Sequence, residues 1–394
     1  MDLSHSSPSS TFPVAHLVIS LDNGGLEHLV MRWTAYRNKQ SKDSTHIICL
    51  DKPGVLACDF QGGTVHCIRA KRAKFPWDRQ AVKRLSKLLI DLNIAVIHSH
   101  DIAANQYAAL AANSINIPNL HTQHGMINFS DSGLKSMVRN RILRFFTHQY
   151  VAVSKEIARD ISKTHGIPFD RVRFIANGVE QHQVASQEKL EQLRKTHEIP
   201  FHSFVLGSVG RLATVKGWDL FLPVFAQLVK THTGKKPLHL LLVGDGPEQD
   251  HLQNAVKGLG IEGQVTFAGF QKDCHPYYDL MQLFVMPSRS EGLSVSLLEA
   301  MLAGCPVAVT AVGEHTKLIE VSQGGILLTP EQSESWSQAL SNFLHDLEKQ
   351  RLCAVSAKAH VKACYTLEKT CQSYETLYHN LNGKNSGSEH KEVE

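Results

Sequence analysis

The chain has 394 residues, 42% of them hydrophobic and 20% charged, and a formal net charge of +4. That balance describes a globular protein of about two domains; it is too weakly basic for a nucleic-acid binder, and no stretch interleaves aromatic with basic residues. Eight scattered cysteines with no Cys-x-x-Cys pair point to reduced core thiols rather than a disulfide frame or a zinc knuckle.

Residues 1–13 (MDLSHSSPSSTFP) have neither the cationic start nor the apolar core of a signal peptide, and 383–394 is a polar tail; both are expected to be disordered. No apolar run approaches the length of a membrane span, so a cytoplasmic location is expected. Between these ends apolar strands alternate with helical patterns, which predicts parallel sheets with helices on both faces. In the first half, strands are expected near Val14–Leu21, His46–Leu50, Thr64–Ile68, Ala95–His98, Asn119–Thr122, Gln149–Val153 and Arg171–Ile175. The clearest helices there are Gln80–Leu92 and Ser154–His165. A polar stretch, 181–202, is read as a linker between domains 14–180 and 203–365. The second series has strands at Phe204–Val209, His239–Val243, Gln264–Phe267, Leu283–Met286, Pro306–Thr310 and Gly325–Leu328, and two helices, Glu331–Glu348 and about Lys369–Asn382, close the chain.

The chemistry gathers at strand ends, where open α/β sheets place ligands. Gly24-Gly25 follows the first strand and lets the backbone approach a phosphate or sugar closely, although a tight turn would look the same. His98-Ser99-His100-Asp101, with His121 and His124 downstream, would suit a metal-dependent hydrolase, but the second half supplies the wrong further ligands for one: Arg211, Lys216 and Glu291. The cationic runs at Arg69–Arg72, Lys83-Arg84 and Lys135–Arg144 are either solvated helix faces or a basic face toward anionic lipid.

Gly207–Arg211 and Lys216-Gly217 (GSVGRLATVKG) put two cations five residues apart after an apolar strand, within reach of a diphosphate. PSRSEGLSVSLLEAMLAGCP, Pro287–Pro306, then reads as strand end, polar loop and helix, with Glu291 and Glu299 roughly 10–12 Å apart. That spacing suits an elongated ligand held at both ends, its anionic middle over the helix N-terminus formed by Leu293, Ser294 and Val295.

These motifs in this order resemble the family 4 glycosyltransferases of the GT-B fold, over about Val14–Asn382. The others that carry the resemblance are GGLE at Gly24–Glu27, HTQHGM at His121–Met126, VAVSKEI at Val151–Ile157, ANGVE at Ala176–Glu180 and LLLVGDGPEQDHL at Leu240–Leu252. The resemblance implies two Rossmann-like domains facing across a cleft, with a last helix (366–382) returning to the first domain and docking there through Tyr374 and Tyr378. It implies a retaining transfer of sugar from a nucleotide-diphosphate sugar to an acceptor hydroxyl, without metal or other cofactor. By the same likeness His124 contacts the donor sugar, Arg211 and Lys216 take the diphosphate, Glu291 accepts from sugar hydroxyls, and Glu299 accepts from the ribose. Gly292 lets the loop turn beside the sugar, and Phe270 borders the base. The family's usual Glu-Gly-Phe-Gly is Glu291-Gly292-Leu293-Ser294 here, so the sugar cannot be copied across. A lipid-linked glycan of the cell surface is the expected acceptor, with the protein peripheral on the inner face of the cytoplasmic membrane. An epimerase or hydrolase on the same fold, or a non-catalytic nucleotide-sugar-binding subunit, are the alternatives.

Overall fold

The structure, a computed structural model, describes residues 12–22, 24–41, 44–71, 78–125, 134–330 and 332–386, without the side chains of 134–136 and 384–386. Most of both polar ends lies outside these residues, as do Arg72 and Met126. The chain divides into two compact units, one of residues 1–153, 157–175 and 371–394, the other of 154–156 and 176–370.

The first unit is built on β1 (Val14–Val18), β2 (Thr45–Cys49), β3 (Thr64–Cys67), β4 (Val96–His100), β5 (Asn119–Gln123), β6 (Gln149–Ala152) and β7 (Val172–Phe174). They pair in parallel in the order β3-β2-β1-β4-β5-β6-β7, so the sheet reverses direction of winding between β1 and β4. The helices between them are α1 (Gly25–Gln40), α2 (Arg79–Asp91), α3 (Ile102–Ser114), α4 (Leu134–Leu143) and α5 (Lys155–His165). α2 shows why such helices form where they do. The Asp78 side chain caps it by accepting from the amides of Gln80 and Ala81, and Ala81, Leu85 and Leu89 bury one face at fourfold spacing.

Strands β4 (VIHSH) and β5 (NLHTQ) are polar in sequence yet wholly buried. Their side chains find partners on both faces. On one, His98 Nδ1 lies 2.7 Å from the Tyr378 hydroxyl, His98 Nε2 lies 2.8 Å from Thr122 Oγ1, and Thr122 Oγ1 lies 3.1 Å from the Tyr374 hydroxyl. Tyr374 and Tyr378 belong to α14 (Leu367–Ser386), the returning helix, which Arg37 also holds through a 2.5 Å ion pair with Glu375. α14 runs on to Ser386, into the stretch expected to be a disordered tail.

The second unit holds β8 (Phe204–Val209), β9 (Leu238–Val243), β10 (Val265–Gly269), β11 (Leu283–Met286), β12 (Val307–Thr310) and β13 (Gly325–Leu328). Again all pair in parallel, in the order β10-β9-β8-β11-β12-β13, with the reversal between β8 and β11. α6 (Gln187–Thr196), α7 (Trp218–Thr231), α8 (Gln249–Leu259), α9 (His275–Leu280), α10 (Val295–Ala303), α11 (His315–Ser322), α12 (Ser333–His345) and α13 (Leu347–Cys364) cover it.

Two expectations are corrected here. The stretch 181–202 is not a free linker. Ser186 caps α6, Leu193 enters the core of the second unit, and the Asp279 carboxylate takes both His182 Nε2 at 2.7 Å and the Ala185 amide at 2.8 Å. The closing helices number three rather than two, because α12 ends at His345 and Asp346 caps a separate α13 by accepting from the Lys349 amide. No helix among the described residues is long and apolar enough to cross a membrane.

Candidate functional site

At the reversal point of the second sheet, the loops after β8 and β11 meet. Gly217, at φ 69°, sits where an added Cβ would overlap the Pro287 carbonyl, so only glycine lets the two loops close on each other. Arg289 then ties them, with both guanidinium nitrogens on the Asp219 carboxylate at 2.6 and 2.7 Å and its amide on the Val215 carbonyl at 2.8 Å. This clasp delivers Lys216 Nζ to Glu291 Oε1 at 2.6 Å, and Ser288 Oγ donates to the same oxygen at 2.7 Å. From behind, Gly313 (φ 55°) lies where a Cβ would overlap the Glu291 carbonyl, and the Glu314 amide donates to Gly292 O at 3.2 Å.

Burial pushes the Glu291 carboxyl up, but Lys216, His315 and the hydrogen bonds from Lys216 and Ser288 outweigh it and hold it below the usual carboxylate range. Glu291 is therefore an anion at neutral pH. Both hydrogen bonds reach its Oε1, leaving Oε2 with no donor among the described residues. Arg211, in contrast, is exposed and in no ion pair among the described residues, at the rim of a recess lined by Gly210, Lys216, Trp218 and Ser288. α10 begins four residues after Glu291. Ser294 stands at its N-cap, no side chain caps its first amides, and the Asn177 side chain fixes the preceding turn by donating to Leu293 O at 3.1 Å. Uncapped amides, a guanidinium and an ammonium make a place for a multiply charged anion.

Of the expected residues, the structure thus brings together Lys216, Glu291, Gly292, Leu293, Ser294 and Val295, with Arg211 on the recess that Lys216 also lines. Glu299, one turn into α10, is 9% exposed and accepts from the Tyr278 hydroxyl at 2.8 Å. Phe270 is half-exposed just beyond β10. In the first unit, Gly24 and Gly25 stand at the start of α1 after β1, and a Cβ at Gly25 would meet nothing, which leaves the backbone open. His124 is one residue past β5, and burial lowers its imidazole to about 3, so it is neutral.

The four histidines weighed in the sequence as metal ligands do not share one face. His98 and His100 do share a face, but their third neighbour is His16 of β1. His121 lies on the opposite face of the sheet, 3.2 Å from Ser99 Oγ and edge-on to Tyr150, because side chains alternate along a strand. Sequence reading also missed three residues. Ser288 and Asn177 support the Glu291 loop, and His315 is wholly buried at the start of α11, Nδ1 3.2 Å from the Thr310 carbonyl and Nε2 with no hydrogen-bond partner among the described residues. All three follow strand ends, and Ser288 and Asn177 also lie inside stretches the sequence singled out, Pro287–Pro306 and Ala176–Glu180, without being given a role there.

The family described as Glycosyltransferase Family 4 matches residues 23–183, and that described as Glycosyl transferases group 1 matches residues 203–346. The chain belongs to the family 4 glycosyltransferases, with the GT-B fold. A mannosylfructose-phosphate synthase of Agrobacterium fabrum is 23% identical over 71% of this chain and 67% of its own. A lipopolysaccharide core biosynthesis mannosyltransferase, LpcC of Rhizobium leguminosarum bv. viciae, is 26% identical over 46% of this chain and 52% of its own. Among solved structures, Alr3699/HepE of Anabaena in complex with UDP and glucose superposes with a TM-score of 0.78 at 20% identity, over 93% of this chain and 99% of that one. Membership makes this chain a sugar-transferring enzyme.

Proposed function

We propose that this glycosyltransferase moves a sugar from a nucleotide-diphosphate sugar to an acceptor hydroxyl with retention of anomeric configuration. The observation that carries the reading is the Lys216–Glu291 pair, with Glu291 just ahead of the uncapped start of α10 and Lys216 on the same recess as Arg211. Arg211, Lys216 and the amides of Leu293, Ser294 and Val295 take the diphosphate and stabilise the charge that grows on it as the glycosidic bond breaks. Glu291 Oε2 accepts from a donor-sugar hydroxyl, Glu299 from the ribose, and Phe270 borders the base. The departing phosphate takes the acceptor proton, so the chain needs no nucleophile of its own. Cations in these places do the work of a divalent metal at the diphosphate, and turnover should persist in EDTA.

The acceptor in this reading is a lipid-linked glycan of the cell surface. Exposed Val138, Ile142 and Phe145 form a stripe along and just beyond α4, flanked by exposed Arg141 and Arg144. Apolar residues rimmed by arginine suit an anionic bilayer surface, and a cytoplasmic protein held at the inner membrane face fits that acceptor. Sedimentation with liposomes is expected to require anionic lipid and to fade as salt rises; binding indifferent to both would remove this part. Incubation with nucleotide sugars is expected to give glycosylated acceptor, and free nucleoside diphosphate in quantity only when acceptor is present. Equal turnover of donor without acceptor would favour a hydrolase or epimerase instead.

A further inference from the structure

Three imidazoles stand in line across the first sheet: His16 in the middle of β1 and His100 at the end of β4, both buried, and His124, partly buried, just past β5. His16 Nδ1 lies 3.0 Å from His100 Nε2, and His100 Nδ1 lies 3.1 Å from His124 Nε2. Trp33 packs along them, its ring centroid 5.7 Å from that of His100 and 6.0 Å from that of His124. At the far end His124 Nδ1 is buried and has no hydrogen-bond partner among the described residues. A run of two imidazole–imidazole hydrogen bonds that ends on an unsatisfied ring nitrogen needs an explanation beyond packing.

We propose that His16, His100 and His124 form a relay of neutral imidazoles sharing one tautomer, through which His16 and His100 set the face that His124 Nδ1 offers to a donor-sugar hydroxyl. The step rests on the reading above that His124 meets the donor sugar. Each contact needs one N–H and one lone pair. If His16 carries its proton on Nδ1, it donates to His100 Nε2; His100 must then carry its proton on Nδ1 and donate to His124 Nε2. His124 is left with an Nδ1–H, a donor. Running the other way, all three rings carry the proton on Nε2 and His124 Nδ1 offers a lone pair. Any mixed set faces two N–H groups or two lone pairs about 3 Å apart, which leaves those polar groups unsatisfied. The three rings therefore share one tautomer: in the first set His124 Nδ1 donates to a hydroxyl, in the second it accepts, and no ring is charged in either; passing from the first to the second takes one proton in at His16 Nε2 and gives one up at His124 Nδ1. Burial, which lowers His16 and His124 to about 3, agrees with neutrality throughout. His16 and His100 are positioning residues in this scheme, because they reach the ligand only through His124.

The same rings bear on a metal reading, since donor atoms of His16, His98 and His100 lie within 4.8 Å of one another. A metal there would have to take His16 and His100 from each other, and His98 from Tyr378 or Thr122, so the donor set is already spent on hydrogen bonds.

The test is nitrogen-15 NMR of the full chain labelled in its imidazoles, with the three rings assigned through single substitutions. The expected result at pH 7 is three neutral rings, all protonated on Nδ1 or all on Nε2. A mixed set, an imidazolium among them, or stoichiometric zinc in the purified protein would overturn the proposal. In parallel, His100→Phe keeps a ring but removes both links. It is expected to lower kcat by about tenfold or more while the affinity for the nucleoside diphosphate the enzyme binds is unchanged. Folded His100→Phe with wild-type kcat, beside an impaired His124→Ala, would sink the relay alone. Wild-type turnover in His124→Ala would sink the underlying reading as well.

Discussion

Lys216→Ala is expected to lower turnover by roughly 10²–10³-fold, with the circular dichroism spectrum and melting temperature near those of the parent, the size of effect seen when one preorganised charge-stabilising donor is removed. The ammonium has two jobs in the structure. It faces the recess where the diphosphate is to sit, and it is the main influence holding the half-buried Glu291 ionised. Glu291→Ala should cost as much, since it removes the hydroxyl acceptor and leaves Lys216 without its partner. Lys216→Arg should recover little, because a planar guanidinium cannot keep a 2.6 Å point contact with Glu291 and also reach a phosphate. Both kcat and kcat/KM should fall together, as for a group that acts mainly in the transition state. Near-normal kcat in folded Lys216→Ala or Glu291→Ala would remove these residues from the site.

Acidification is expected to unfold the first unit before the second. Burial lowers His16, His121 and His124 from 6.5 to about 3, and His98 and His100 fall well below their ordinary value for the same reason. Each folded-state pKa lies below its unfolded value. The stability these groups allow is therefore complete above about pH 6.5 and is lost as the pH falls toward their folded values, because only the unfolded chain takes up the protons. Each such histidine costs about 1.4 kcal/mol per pH unit in that window, so the cluster removes several kcal/mol per unit from a domain stability of about 5–15 kcal/mol. The second unit carries fewer: His239 is lowered to about 4 by burial and Arg194, and burial also lowers His197, His315 and His360. Hydrogen exchange, corrected for its intrinsic pH dependence, should show protection in β4 and β5 collapsing between about pH 6 and pH 5 while β8 and β9 hold. Equal loss in both units, or protection of β4 and β5 down to pH 4, would contradict the burial of these rings as neutral groups.

Much of this was legible beforehand. β8, β11 and β13 run over the residues expected of them, because short apolar runs bounded by turns are what a doubly covered parallel strand requires. α13 was not legible. It buries Cys353, Ala357 and Val361, a stripe of mostly small side chains, and its one clear signal was the cap at Asp346. The Lys216–Glu291 contact joins residues 75 apart, which only the strand order of the sheet makes neighbours. Likewise the grouping of the histidines depends on register: β4 and β5 pair Ser99 with His121, so His121 takes the face that His98 and His100 do not. Parity within a strand can be read from sequence, but the register between strands cannot.

A crystal structure with a nucleoside diphosphate, chosen among UDP, GDP and ADP by the largest rise in melting temperature, tests the central claim most directly. The pyrophosphate is predicted to lie on Arg211, Lys216 and the first amides of α10. A pyrophosphate bound elsewhere, out of reach of both cations, would contradict the account.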